Sequence, residues 1–109
     1  MSREYQNYID GEWCDAESGE RFENRNPADT DDLIGTFPRS DKREVDRAVA
    51  AARKAFDAWR LTPAPQRGDI IKKAGDIMVE RKEEISRVMT REMGKVLKET
   101  RGDTQEGID

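Results

Sequence analysis

The chain has 109 residues, enough for one domain of modest size, and 40% of them are charged against 34% hydrophobic. Its formal net charge of -4, with Lys and Arg mixed among Asp and Glu throughout, provides no basic surface for nucleic acid. One cysteine and no histidine exclude an internal disulfide, a CxxC or histidine zinc site, and any Ser-His or Cys-His couple.

Such polarity suggests disorder, but the apolar residues are periodic rather than scattered, which points to folded elements with a sparse core that needs a neighbour. No apolar run reaches membrane length, and the polar start MSREYQNYIDGEW is no signal peptide, so the cytoplasm is the expected compartment, with no membrane partner. The eight glycines are dispersed, and none of them makes a GxGxxG or Walker phosphate loop. There is no internal repeat or low-complexity tract.

Residues 5–38 read as two small antiparallel hairpins. Tyr8-Ile9 and Trp13-Cys14 flank Asp10-Gly11-Glu12, and Asp-Gly signals a tight turn because both central residues accept positive φ. Cys14 lacks an obvious base or helix N-terminus to activate it and is read as a structural residue. After a turn at Glu17-Ser18-Gly19, Arg21 to Arg25 forms a strand with Phe22 on its buried side, ending at Asn26-Pro27. An acidic loop from Asp29 to Asp32 then leads into a strand from Leu33 to Phe37, stopped by Pro38.

The pattern changes to helix at 41–60 and 63–94, a helical hairpin. Apolar residues fall at Val45, Ala48, Val49, Ala52, Phe56 and Trp59, then at Ile70, Ala74, Ile77, Met78, Ile85, Val88 and Met89. Asp41 with Glu44 three residues on makes a capping-box start, and Thr62 before Pro63 offers an N-cap with proline at the first helical position. Gly94 is the expected stop. Four consecutive charges from Arg81 to Glu84 make two shorter helices as good a reading as one long one. Trp59 lies on the apolar stripe and is assigned to the core. Arg67 sits in the first turn of the second helix, where a cation opposes the helix dipole, a placement that hints at a specific partner carboxylate.

Residues 95–109 favour helix through Lys98, Glu99 and Gln105, although Gly102 and Gly107 weaken it. With no stop signal at Ile108-Asp109, the expectation is a helix cut in mid-pattern and a chain that is a piece of something longer.

In this order, YIDGEW (Tyr8 to Trp13), ESGERFENRNPA (Glu17 to Ala28), IGTFPRS (Ile34 to Ser40), VDRAVAAARKAFDAW (Val45 to Trp59), PQRGDIIKKAGDIM (Pro65 to Met78) and TREMGK (Thr90 to Lys95) resemble the N-terminal part of the aldehyde dehydrogenase superfamily. The resemblance implies an α/β parent fold. Residues 1–109 would be the N-terminal part of its cofactor-binding domain, here incomplete, with the two β-hairpins at 5–38 and helices at 41–60, 63–94 and 95–109. It further implies oxidation of an aldehyde to the acid with NAD or NADP, and TREMGK leans toward semialdehydes of small carboxylic acids. The family's nucleophilic cysteine, water-activating glutamate, oxyanion asparagine and dinucleotide-binding turn match nothing in this sequence. No catalytic or cofactor-binding residue is therefore assigned, and the chain alone is expected to bind no cofactor and to be inactive.

One site carries over by resemblance. Many members hold a monovalent cation through two backbone carbonyls before an Asn-Pro step and a carboxylate before a Gly-Lys pair; the matching positions are Asn24, Arg25 and Glu92, although the family often has Asp where Glu92 stands. The partners implied are the rest of the aldehyde dehydrogenase fold, the aldehyde substrate of the parent enzyme, and other subunits of a homo-oligomer. The alternative from the residues themselves is a stand-alone helical interaction or dimerisation module without enzymatic activity.

Overall fold

The computed structural model describes residues 3–109. Five strands precede four helices: β1 (Arg3–Glu4), β2 (Asn7–Ile9), β3 (Glu12–Cys14), β4 (Arg21–Asn26), β5 (Asp29–Pro38), α1 (Lys42–Trp59), α2 (Ala64–Glu80), α3 (Lys82–Met93) and α4 (Leu97–Ile108). The chain divides into two compact units, one holding the residues up to Asn24 with Leu33–Leu61, the other Arg25–Asp32 with Thr62–Asp109.

In the first unit, β2 and β3 pair antiparallel with Tyr8 opposite Trp13. The turn between them puts Asp10 at φ 53° and Gly11 at φ 79°. Two successive positive values are the signature of a type I′ turn, whose twist suits the flanking strands. The next turn closes through the Gly19 amide, which donates to the Ala16 carbonyl at 2.9 Å.

The other sheet has the order β1-β5-β4. A two-residue turn, Pro27-Ala28, joins β4 to β5 and makes them a hairpin, while β1 lies parallel to β5 with Arg3 opposite Gly35. This parallel edge was not expected from sequence. It depends on Gly35, where a Cβ would stand 2.5 Å from the Arg3 carbonyl oxygen and 2.7 Å from the Tyr5 ring. The expected acidic loop from Asp29 to Asp32 is instead the first part of β5. Pairing with β4 through so short a turn outweighs the low strand propensity of aspartate.

Phe22, expected on the buried side of its strand, is 43% exposed, yet its ring stacks on Phe37 at 5.8 Å between centroids. Phe37 in turn stacks on Tyr5 at 4.6 Å. Arg21 ties these strands together: Nε donates to Thr36 Oγ1 at 3.1 Å, Nη1 to Asp15 Oδ1 at 2.6 Å, and Nη2 to the carbonyls of Tyr5 and Thr36 at 2.5 and 2.9 Å.

Helix α1 begins with the expected capping box. The Arg43 amide donates to Asp41 Oδ1 at 2.9 Å and the Asp41 amide to Glu44 Oε2 at 2.8 Å. Glu44 Oε1 accepts a further bond from the Glu17 amide at 2.7 Å, so one buried carboxylate fastens the helix start to the preceding turn. The first unit otherwise buries little: Ala16 and Ile34 are its fully buried hydrophobic residues among those described. Trp59, assigned from sequence to the core, is 40% exposed, and Val45, Val49 and Phe56 along the same stripe are exposed with it. A periodic stripe fixes which face is apolar and leaves open what covers it.

In the second unit, the cap of α2 differs from expectation. The N-cap is Pro63, not Thr62, it makes no side-chain cap bond, and the helix starts at Ala64. The charged run does break the helix: Arg81, at φ -100° and ψ 11°, ends α2 and precedes α3. Gly94 ends α3 at φ 70°, and its amide donates to the Thr90 carbonyl at 2.9 Å.

Helices α3 and α4 meet along hydroxyl side chains. Ser86, Thr100 and Thr104 are essentially inaccessible. Ser86 Oγ lies 2.7 Å from the Lys82 carbonyl and 3.0 Å from Thr104 Oγ1, two acceptors that share its single proton, Thr104 Oγ1 donates to the Thr100 carbonyl at 2.8 Å, and the Thr90 and Thr100 hydroxyls lie 2.8 Å apart. Gly107 stays helical beside α2, where a Cβ would come within 3.3 Å of Met78 Cε. No described helix is long and apolar enough to cross a membrane.

Candidate functional site

The polar side chains of the second unit gather around the Asn26-Pro27-Ala28 turn, the end of α3 and the start of α4. Asn26 Oδ1 accepts from the Ala28 amide at 2.9 Å, a side-chain bond that holds the turn closed, and Asn26 Nδ2 donates to Asp32 Oδ2 at 3.3 Å. Arg91 comes from the last turn of α3 and grips Asp32 side-on, Nε to Oδ2 at 2.9 Å and Nη2 to Oδ1 at 2.5 Å. This hydrogen bond to Arg91 is the main reason the Asp32 carboxyl lies below its ordinary range, with Asn26 adding to the effect. Three residues on, Gly94 passes close to the turn: a Cβ there would lie 3.2 Å from Pro27 Cγ and 3.4 Å from Ala28 Cβ. Lys95 reaches forward to Asp103 at 2.5 Å, and that bond raises the affinity of its ammonium group for its proton.

The residues expected from resemblance to hold a cation lie in two elements. Asn24, half-buried, and Arg25, exposed, lie in β4, and Glu92 is exposed one residue before the end of α3. Each takes part in interactions of its own, including one from Arg25 Nη1 to the Thr30 carbonyl at 3.1 Å. Among the described residues, no group of three or more His, Cys, Asp or Glu side chains converges as metal ligands.

The perturbed carboxylates are all held ionised. Glu44 is lowered by the amides of Asp41 and Glu17, Asp41 by Arg43, and Glu83 by Arg101, whose Nε and Nη2 bind its two oxygens at 2.9 and 2.8 Å. A carboxylate fixed as an anion by donors is a poor general acid or base near neutral pH. Cys14 is half-buried in β3 as a free thiol. A groove of about 400 Å³ in the first unit is lined by Ile9, Asp10, Glu12, Arg47, Ala50, Ala51 and Lys54, a mixture of small apolar residues and charges of both signs. Among the described residues no glycine-rich turn joins a strand to a helix start.

Sequence reading pointed to Glu92 and the Asn-Pro step but missed Arg21, Asp32, Arg91 and the Ser/Thr seam. Hydroxyls at Ser86, Thr90, Thr100 and Thr104, spaced by four within each helix, are the signal that could have revealed the α3–α4 contact.

The model of the aldehyde dehydrogenase family matches residues 13–109. Over 104 residues the chain is 45% identical to an alpha-ketoglutaric semialdehyde dehydrogenase of Bacillus subtilis, covering 95% of this chain and 21% of the relative. It is 42% identical over 103 residues to malonate-semialdehyde dehydrogenase 2 of Geobacillus kaustophilus, covering 94% and 21%. The crystal structure of an NAD-dependent aldehyde dehydrogenase from Sinorhizobium meliloti superposes with a TM-score of 0.88 at 34% identity, over 95% of this chain and 21% of that one. The chain thus spans about a fifth of the length of the relatives it matches. An ordered match over nearly every described residue, in sequence and in fold, means that the chain belongs to the aldehyde dehydrogenase family.

Proposed function

We propose that these residues serve an NAD(P)-dependent enzyme that oxidises the semialdehyde of a small carboxylic acid to the corresponding diacid, and that they supply packing surface rather than reacting groups. The observation that carries this reading is the likeness to two relatives whose names specify such substrates, alpha-ketoglutaric semialdehyde and malonate semialdehyde. Both molecules carry an aldehyde at one end and a carboxylate at the other. When bound, the nicotinamide accepts the hydride that leaves the aldehyde carbon; the nucleophile and the group that activates water come from the rest of the enzyme.

The role of the present residues follows from their uncovered faces. Val45, Val49, Phe56 and Trp59 on α1 are exposed, as are Ile70, Ile71 and Ile77 on α2. Apolar surface of this extent is stable when another layer covers it. The remaining polypeptide of the enzyme is that layer, and subunit contacts of a homo-oligomer lie largely outside these residues. The carbonyls of Asn24 and Arg25 with the Glu92 carboxylate hold a structural monovalent cation in the complete enzyme. The enzyme works in the cytoplasm, without a nucleic acid or membrane partner.

The test is NAD(P)H formation by the complete enzyme containing these residues, given either semialdehyde or an unsubstituted aldehyde such as propanal. The expected outcome is a kcat/KM for a semialdehyde at least roughly tenfold above that for propanal, because a site built to pair a carboxylate rejects an analogue that lacks one. Equal values would overturn the substrate class. Failure to oxidise any aldehyde would overturn the reading itself.

A further inference from the structure

Residues 3–5 join the rest of the first unit through few contacts. None of the side chains of residues 3–9 is fully buried. The pairing of β1 with β5 is two residues long, and the Tyr5 amide extends it by donating to the Thr36 carbonyl at 2.9 Å. The Tyr5 ring adds its stack on Phe37 at 4.6 Å, and the Arg3 guanidinium lies 4.7 Å from the centre of the Tyr5 ring. Gln6, which is exposed, then separates these residues from β2, whose partner is β3. An edge pairing this short, with no buried side chain behind it, opens at lower cost than the body of a fold.

Arg21 holds these residues without depending on them for its own position. Of the four hydrogen bonds described for its guanidinium, three go to Asp15 Oδ1, Thr36 Oγ1 and the Thr36 carbonyl, none of them in residues 3–5. The fourth, from Nη2 to the Tyr5 carbonyl at 2.5 Å, reaches across to them. A planar fork already oriented by three acceptors loses little freedom in taking up a fourth, and a charged donor makes that bond stronger than an amide would. Phe37 likewise has a second stacking partner in Phe22, over which the Arg39 guanidinium lies at 6.0 Å, contacts that do not involve Tyr5. Gly35 completes the seat. A Cβ there would stand 2.5 Å from the Arg3 carbonyl oxygen and 2.7 Å from the Tyr5 ring, while its φ is not positive, so the backbone of β5 itself would accept alanine.

We propose that residues 3–5 form a strap that opens and closes as a unit on a β4–β5 hairpin that stays paired, with Arg21 as a latch set in advance and Gly35 as the slot. Opening breaks the two-residue ladder, the bonds at the Tyr5 amide and carbonyl, and the Tyr5–Phe37 stack. It leaves the guanidinium on its three other acceptors and Phe37 on Phe22. The uncovered edge of β5 at residues 35–37 then presents main-chain groups to which a strand can add. Arg21 acts here as a positioning residue.

The experiment is amide hydrogen exchange on the full 109-residue chain, read residue by residue by NMR, for the wild type, Arg21→Lys and Gly35→Ala. After correction for intrinsic rates, the Tyr5 amide of the wild type is expected to exchange roughly thirtyfold or more faster than the amides that pair β4 with β5. Arg21→Lys, which keeps the charge and loses the fork, is expected to widen that ratio by about tenfold. Gly35→Ala is expected to abolish protection at Tyr5 while the amides between β4 and β5 stay protected. Equal protection of Tyr5 and the hairpin in the wild type overturns the proposal, because the strap then moves only with the fold around it. A ratio unchanged by Arg21→Lys overturns the latch. A Gly35→Ala chain that keeps wild-type protection at Tyr5 overturns the slot, and one that loses protection throughout overturns the separability of the strap.

Discussion

Gly94 shows what a single residue does here. It closes α3 in the left-handed region at φ 70° and leaves room for Pro27 and Ala28, so a side chain would be penalised twice. Gly94→Ala is expected to destabilise the chain by roughly 1–2 kcal/mol from backbone conformation alone, with the tight contact at Pro27 adding to it. Urea unfolding at constant m measures the change, and a shift within error would show that the turn moves freely away. The stop at Gly94 was legible because glycine is favoured in that conformation after a helix, as the Asp10-Gly11 turn was legible for the same reason. The close approach of Pro27 was not, because contacts between residues far apart in sequence leave no local pattern. Asp32 is the same case: it read as one acid in an acidic loop until Arg91, 59 positions away, closed on it.

At the scale of the element, the contact between α3 and α4 depends on small hydroxyl-bearing side chains instead of large apolar ones. Thr104→Val keeps the shape and removes the acceptor of the 3.0 Å bond from Ser86, while Ser86 keeps its bond to the Lys82 carbonyl. The expected loss is about 1 kcal/mol, and Ser86→Ala combined with Thr104→Val should cost less than the sum of the two single changes. A fully additive double-mutant cycle would mean that the hydroxyls do not act together. Apolar spacing pointed to helix over the stretches that hold α1, α2 and α3, because it is a local signal, while the charged run left one long helix and two shorter ones equally open where α2 ends at Arg81. It missed the parallel pairing of β1 with β5, whose two-residue length carries no alternation to read. It also overestimated burial: the stripe from Val45 to Trp59 has the spacing of a core face, and its residues are largely exposed.

For the whole molecule, ion pairs and capping carboxylates carry much of the order that apolar burial does not. Asp32, Asp41, Glu44 and Glu83 all have folded pKa values below their ordinary 3.8 or 4.5. The unfolded chain therefore takes up protons first as the solution is acidified, and the stabilisation from these groups, complete above their ordinary values, is lost as pH falls through the lower folded values. Lys95 has the opposite sign: its folded pKa lies above 10.5, so its contribution is complete below that pH and is lost as pH rises through the folded value. Thermal unfolding across pH should show a plateau between about 5 and 10 with a steep acid limb, and Glu44→Gln should lower the plateau and flatten that limb. An acid limb identical in the variant would mean that Glu44 is not among the groups that hold the fold.

The same scale decides function. These residues carry the family's opening fold and a set of ionised, structurally committed carboxylates, and on the proposed function the reacting groups lie outside them. The most direct measurement is aldehyde-dependent NAD(P)H formation by the purified 109-residue chain beside the complete enzyme, at matched concentration and with alpha-ketoglutaric semialdehyde as substrate. Turnover by the complete enzyme and none by the chain is the expected result. Turnover that rises in proportion to the concentration of the chain alone would contradict the assignment of these residues to a purely structural role.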